Sequence, residues 1–180
     1  MPSILETRQL ILRPVEEGDL DQIQREFAQW EIVRYLAAQV PWPYPADGAV
    51  TWYRTMVEPQ TARGEGWYWT MRPKVEPEVV AGVISLLVGE ETNRGFWVAR
   101  RWQRRGFASE AADAVTDFWF DVLGFPRLRV PKAADNLPSR RISERQGMRI
   151  VSTGEKDHVC GRMRSELWEL TADEWHARRR

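Results

Sequence analysis

The run Gln103-Arg104-Arg105-Gly106-Phe107-Ala108 has the residue types and order of an anion cradle. It follows a short apolar stretch, Gly95-Phe96-Trp97-Val98-Ala99, of strand length and composition. After it, Ala108, Ala111, Ala112, Val115, Phe118, Trp119 and Val122 recur at three- and four-residue spacing, which predicts a helix from Phe107 to Leu123 ending at Gly124. The first N–H groups of a helix have no partner inside it and lie at the positive end of its dipole. A phosphate binds there when the main chain is bare enough to approach. Gly106 lets it approach, Ala108 is small, and Arg104 and Arg105 add positive charge. The pattern predicts a diphosphate site at a strand–loop–helix junction.

Other side chains with chemical potential are scattered. Asn136-Leu137-Pro138-Ser139 opens a predicted helix that runs to Gln146 and stops at Gly147, with Pro138 suited to the first turn. Asn136 and Ser139 are either ordinary helix-start residues or polar groups offered to a ligand. Glu90 and Glu91, just upstream of the apolar strand, could take a proton through water, or simply be a solvated turn. His158 beside Cys160 hints at a nucleophile pair in a polar loop. With two histidines and one cysteine in the chain, no metal site is expected. Arg100, Arg101, Arg104 and Arg105 interleaved with Trp102 and Phe107 could also form a nucleic-acid patch. Lys plus Arg and Asp plus Glu both number 26, however, and zero net charge argues against bulk attraction to nucleic acid or an anionic membrane.

On these residues the chain resembles the GNAT acetyltransferases, whose coenzyme motif is Q/R-x-x-G-x-G/A between a strand and a helix. The wider frame, Gly95-Phe96-Trp97-Val98 through Gly106-Phe107-Ala108-Ser109-Glu110-Ala111, is similar to the subgroup that acetylates the N-termini of ribosomal proteins. Asn136 to Ser139 followed by Gly147-Met148, the opening Thr7 to Pro14 and the closing Gly161-Arg162 extend the resemblance over nearly the whole chain. It implies an α/β GNAT fold over residues 1–180 as a single domain. The expected sheet is mixed and mostly antiparallel, of about six to seven strands, with helices on both faces. It also implies acetyl-coenzyme A as cosubstrate and direct transfer of acetyl to a primary amine. The foremost acceptor is a protein or peptide N-terminus. Small amines (aminoglycoside, polyamine, amino acid) are the alternative, and a domain that binds acyl-coenzyme A without turnover is a third reading. Relatives often pair, so a homodimer is an expectation.

The resemblance also assigns roles. Gln103, Arg104, Arg105, Gly106, Phe107 and Ala108 would hold the diphosphate. The N–H near Val98 would meet the carbonyl oxygen as it becomes anionic, Asn136 would bind the pantetheine arm, and Ser139 would face the thiol. There are departures: Ser143 stands where the superfamily often has tyrosine, and Arg104 replaces a cradle glycine. Asn93 and Ser165 occupy positions that often carry an acid. The base and the acceptor stay open.

The elements that must position these groups are legible to different degrees. Leu10-Ile11-Leu12 reads as a first strand ending at Pro14, and Asp19 with Gln22 as a helix start. Leu20, Ile23, Phe27 and Trp30 share one helical face. Val40-Pro41-Trp42-Pro43-Tyr44-Pro45 is a stiff loop, either a connector or a wall of the acceptor site. Asp47 opens a helix through Val57. Trp67 to Met71 and Val79 to Val88 read as strands, and Leu128-Arg129-Val130 as a strand parallel to Phe96-Trp97-Val98. Met148 to Ser152 and Ser165 to Leu170 read as a final antiparallel pair, with a polar loop from Gly154 to Arg162 between them. Thr171 and Glu174 open a last helical turn, and Arg178-Arg179-Arg180 reads as a solvated tail. Of the ten tryptophans, Trp30, Trp42, Trp52, Trp67 and Trp69 fall in the half where this family builds its acceptor pocket. They are either core or an aromatic lining. One cysteine, no apolar run near the ~20 residues of a membrane span, and no secretory leader make a cytoplasmic protein the expectation.

Overall fold

The structure, a computed structural model, describes residues 3–179. Strands β1 (Leu5–Glu6), β2 (Leu10–Pro14), β3 (Gly66–Pro73), β4 (Gly82–Leu87) and β5 (Arg94–Val98) form one antiparallel sheet in that order. A second antiparallel sheet contains β6 (Arg127–Ala133), β7 (Arg149–His158) and β8 (Gly161–Thr171), in the order β6-β8-β7. Helices α1 (Leu20–Phe27), α2 (Trp30–Val33), α3 (Gly48–Trp52) and α4 (Glu58–Arg63) lie between β2 and β3, with a π-helical turn Tyr53–Val57 joining the last two. Helix α5 (Phe107–Asp117) continues through a π-helical turn Phe118–Val122, and α6 (Leu137–Gln146) and α7 (Ala172–Ala177) complete the chain.

The mixed α/β architecture matches expectation, with helices on both faces, and the strands divide into two sheets of five and three. Period-two alternation assigns the faces. On β3 and β4, Trp69, Met71, Ile84 and Leu86 turn towards α5, packing with Ala111, Ala112, Val115 and Phe118. Their neighbours Tyr68 and Val83 turn the other way, to Leu20 and Ile23 of α1 and Ala49 of α3. Full burial of each large apolar side chain contributes roughly 1.5–3 kcal/mol.

The expected parallel pairing of β5 with β6 is reduced to a single joint. Asn93 N–H donates to the Arg129 carbonyl (2.8 Å), and Arg129 N–H donates to Asn93 Oδ1 (2.7 Å). Beyond it the two strands run in the same sense but share no ladder. This unzipped gap organises the site.

Other expectations need correction. The segment expected as a polar loop, Gly154 to Arg162, is the far half of a long β7–β8 hairpin. Its tip pairs with Arg34–Ala38: Val159 and Cys160 N–H donate to the carbonyls of Leu36 and Arg34, both at 3.0 Å. Asp19 does not cap α1 with its side chain; it is buried and pairs with Arg72 (2.5 Å) and Arg13 (2.7 Å). Gln22 instead bridges Glu78 and Val80. Helix α1 ends at Phe27, so Trp30 belongs to α2 and is 39% exposed. At the C-terminal end, Arg178 donates to the Arg145 carbonyl (2.8 Å) and Arg179 pairs with Asp117, so these two residues are engaged; Arg180 lies outside the described residues. Among the described residues no helix is long and apolar enough to cross a membrane.

Candidate active site

Antiparallel pairing uses alternate residues of β5. Ala99 N–H donates to the Ala81 carbonyl (2.8 Å), and Trp97 lies opposite Val83. Phe96 and Val98, one residue out of phase, therefore turn their main-chain groups away from β4, across the gap towards β6. The Val98 carbonyl accepts from Gln103 Nε2 (3.0 Å), which places it on that side. The Val98 N–H thus faces a cleft of about 900 Å³ bounded by β5, β6, α6, the start of α5 and the segment Glu31–Leu36. It is the kind of fixed donor that an acyl carbonyl uses as charge develops on its oxygen.

At one end of the cleft lies the cradle. Gly106 is the N-cap of α5 at φ +82°, and Arg104 also has positive φ, +62°. Left-handed residues curl the chain so that successive N–H groups converge on a concavity. The N–H groups from Arg104 through Ser109 have no acceptor among the described residues. A Cβ built on Gly106 would meet nothing of this chain within 4 Å. Open space, orphan donors and the positive end of a helix dipole fit a diphosphate. Gln103, Arg104, Gly106, Phe107 and Ala108 all line the cleft. Arg105 does not: its guanidinium stacks over the Trp102 ring (4.7 Å) and lines a separate recess with Arg8 and Lys74.

Asn136 and Ser139 line the opposite wall. Asn136 is the N-cap of α6 and its Oδ1 accepts from the Ser139 N–H (3.3 Å). The capping reading therefore holds for that oxygen, and the side chain is still half-exposed on the cleft wall. Ser139 Oγ accepts from the Nζ of Lys132 (2.8 Å), a residue of β6 with 5% exposure. Burial, reinforced by the charge of Arg94, holds the Lys132 ammonium well below the usual lysine range. Arg94 is itself fully buried, and burial pulls it down to about 10 against the opposing charge of Asp113. It donates to Thr116 Oγ1 (2.7 Å), while its Nε, Ser143 Oγ and Gln146 Oε1 are buried without partners. This polar floor of the cleft is the part that the sequence reading missed.

Several expected groups lie elsewhere. Glu90 and Glu91 are outside the cleft lining, and Glu91 pairs with Lys156 (3.0 Å). Asn93 is 3% exposed and staples the two sheets, so it is no proton acceptor. His158 and Cys160 form no nucleophile pair. The His158 Nδ1 faces the Tyr35 carbonyl (3.0 Å), so it carries hydrogen, and Nε2 shares a hydrogen bond with the Ser165 hydroxyl (2.6 Å). None of Trp30, Trp42, Trp52, Trp67 or Trp69 lines the cleft; Trp97 and Trp102 do. No residue of the proline-rich loop lines the cleft, and its Tyr44 packs on Phe27 (4.9 Å between ring centres).

A family model described as an acetyltransferase (GNAT) domain matches residues 9–149. The uncharacterized N-acetyltransferase YoaA of Bacillus subtilis (strain 168) is 25% identical over 147 residues, 80% of this chain and 81% of that protein. RimL, a ribosomal L7/L12 alpha-N-protein acetyltransferase solved in complex with coenzyme A, has a TM-score of 0.80 at 16% identity, covering 96% of this chain and 99% of that one. Spermidine N-acetyltransferase from Vibrio cholerae, solved with coenzyme A and spermine, has a TM-score of 0.77 at 18% identity, covering 93% and 98%. The chain belongs to the GNAT family of acetyltransferases, enzymes that move acetyl from acetyl-coenzyme A to an amine.

Proposed function

We propose that this enzyme acetylates a single primary amine carried on a polypeptide, foremost a protein or peptide N-terminus, by direct transfer. The carrying observation is the charge of the cleft lining as a whole. Among the cleft-lining residues only Glu31 and Asp135 are acidic, against the guanidinium groups of Arg34, Arg94, Arg104, Arg141 and Arg145. A polyamine or aminoglycoside carries several positive charges and needs several carboxylates. Beside the rim, exposed Trp30 and Trp42 lie 5.5 Å apart between ring centres. Aromatic surface of this kind suits a polypeptide chain. A spermidine enzyme with the same fold means that fold alone does not choose the acceptor.

In this reading the orphan N–H groups from Arg104 to Ser109 hold the diphosphate, and Asn136 borders the arm. Val98 N–H stabilises the oxyanion, and Ser139 faces the sulfur. Acetyl-coenzyme A supplies an activated thioester. The rest of the rate comes from holding the amine against it, which can be worth about 7–11 kcal/mol.

Gly106→Leu tests the donor half. Its Cβ would meet nothing of this chain within 4 Å, although φ +82° strains any L side chain, so acetyl-coenzyme A affinity should fall about a hundredfold, ~2.8 kcal/mol, by calorimetry on a variant shown to be folded. Unchanged affinity removes the cradle. Free-thiol release with N-terminal peptides, spermidine and an aminoglycoside tests the acceptor half, and turnover confined to the polycations rejects the polypeptide assignment.

A further inference from the structure

Lys132 sits on the floor of the cleft with its Nζ against Ser139 Oγ and no carboxylate within salt-bridge distance among the described residues. Every element around it contributes to that isolation. From β5 come the Arg94 guanidinium and the Phe96 ring, whose centre is 6.0 Å from Nζ. Asp113 of α5 is turned to Arg145 (2.9 Å) and Gln146 (2.9 Å). On β8 the register partner of Lys132 is Glu166, but that carboxylate is engaged by Arg140 of α6 (3.1 Å) and the Trp168 indole (3.1 Å). The remaining neighbours on α6 are neutral: Ser139, and Ser143 one turn along the same face. A buried lysine without a counterion is expensive to keep charged. Neutral, its Nζ has a lone pair beside a hydroxyl that opens on the cleft.

We propose that Lys132, acting through Ser139, is the proton carrier of the transfer. This rests on the reading that Ser139 faces the sulfur. As the acceptor nitrogen bonds to the acetyl carbon, one N–H proton passes through Ser139 Oγ to Lys132 Nζ. As the carbon–sulfur bond breaks, that proton returns through the same hydroxyl to the thiolate. The amide and the free thiol are formed, and Lys132 ends neutral as it began. Ser139 alone is too weak an acid and base to hold the proton between the two steps. Lys132 is a positioning residue, since it reaches the reacting atoms only through Ser139.

The chain has three lysines, Lys74, Lys132 and Lys156, so ε-carbon-labelled lysine gives three resolvable NMR signals. The Lys132→Met variant assigns the one of interest. In the wild-type chain Lys132 should titrate far below the other two, which are exposed; a Lys132 that titrates with them overturns the proposal, whatever the enzyme's acceptor. With an amine that the wild type accepts, Lys132→Met should lower kcat about a hundredfold and leave KM for acetyl-coenzyme A in place. The low-pH limb of the wild-type kcat profile should vanish, and adding Ser139→Ala should cost little more. Equal kcat in wild type and Lys132→Met overturns the proposal while the amine-transfer reading stands. Failure of the wild type with every amine rejects that reading instead, and the NMR titration still decides on Lys132.

Discussion

Arg104 shows what a single backbone angle demands. At φ +62° it occupies a conformation that glycine adopts freely and an L side chain does not. The sequence departure noted at this position is therefore a strained substitution at a turn that keeps its glycine geometry. The strain is worth about 1–2 kcal/mol, partly offset in a glycine variant by the extra freedom of the unfolded chain. Arg104→Gly should raise the unfolding free energy by about 0.5–1 kcal/mol in urea titrations. Arg104→Ala loses the charge but keeps the angle, and should gain nothing. If the alanine variant is the more stable of the two, strain is not the governing term. Affinity for acetyl-coenzyme A should weaken in both, because each lacks a cation at the cradle.

Asn93 plays the corresponding part between elements. Its Nδ2 donates to the carbonyls of Leu87 (3.1 Å) and Gly89 (2.7 Å), and its Oδ1 and N–H complete the joint with Arg129. Because this joint carries the hydrogen bonds that link Asn93, at the start of β5, to β6, it sets where the cleft begins. Asn93→Ala leaves buried donors and acceptors unpaired at about 1–3 kcal/mol each. We expect a loss of about 3 kcal/mol in thermal or urea unfolding, with acetyl-coenzyme A affinity falling alongside. A variant as stable as wild type, binding as tightly, shows that the sheets are held in place by other contacts. None of this was legible in the sequence, where Asn93 could be noticed only as a missing acid. What was legible is local: Gly106, Gly124 and Gly147 each sit at positive φ where a helix starts or stops, and Thr171 with Glu174 opens the expected last helical turn, as a capping box. The far half of β7, from Gly154 to His158, escaped because the strand is exposed on both faces along nearly all its length, so that part carries no apolar alternation to read. Lys132 escaped because the strand signal fades after Val130 at Pro131. Arg105 was misplaced since charge and adjacency say nothing of which way a side chain turns.

At the scale of the molecule, the cleft floor is where this fold is least at ease. Among the described residues, Arg94 and Lys132 are buried basic groups without an ion-paired carboxylate, and three polar atoms around them have no partner. Such strain is tolerated where function requires it, and it leaves a thermodynamic signature. The unfolded chain keeps the Lys132 proton up to the ordinary lysine value of 10.5, whereas the folded chain releases it well below. Between those two values the unfolded state binds more protons, so wild-type stability rises with pH across that window. Below the folded value both states are protonated and the slope disappears. Lys132→Met lacks the group, and Arg94 and the buried tyrosines contribute equally to both proteins. The variant should therefore be more stable near neutrality, with a margin that shrinks steadily as pH approaches 10.5. Each tenfold difference in proton affinity between the two states is worth ~1.4 kcal/mol, which paired urea titrations at a series of pH values resolve. Ser139 loses a donor in the variant but lies half-exposed on the cleft, where water replaces it. A lysine that stayed charged in the fold would give a margin independent of pH, because no proton would then be exchanged on unfolding.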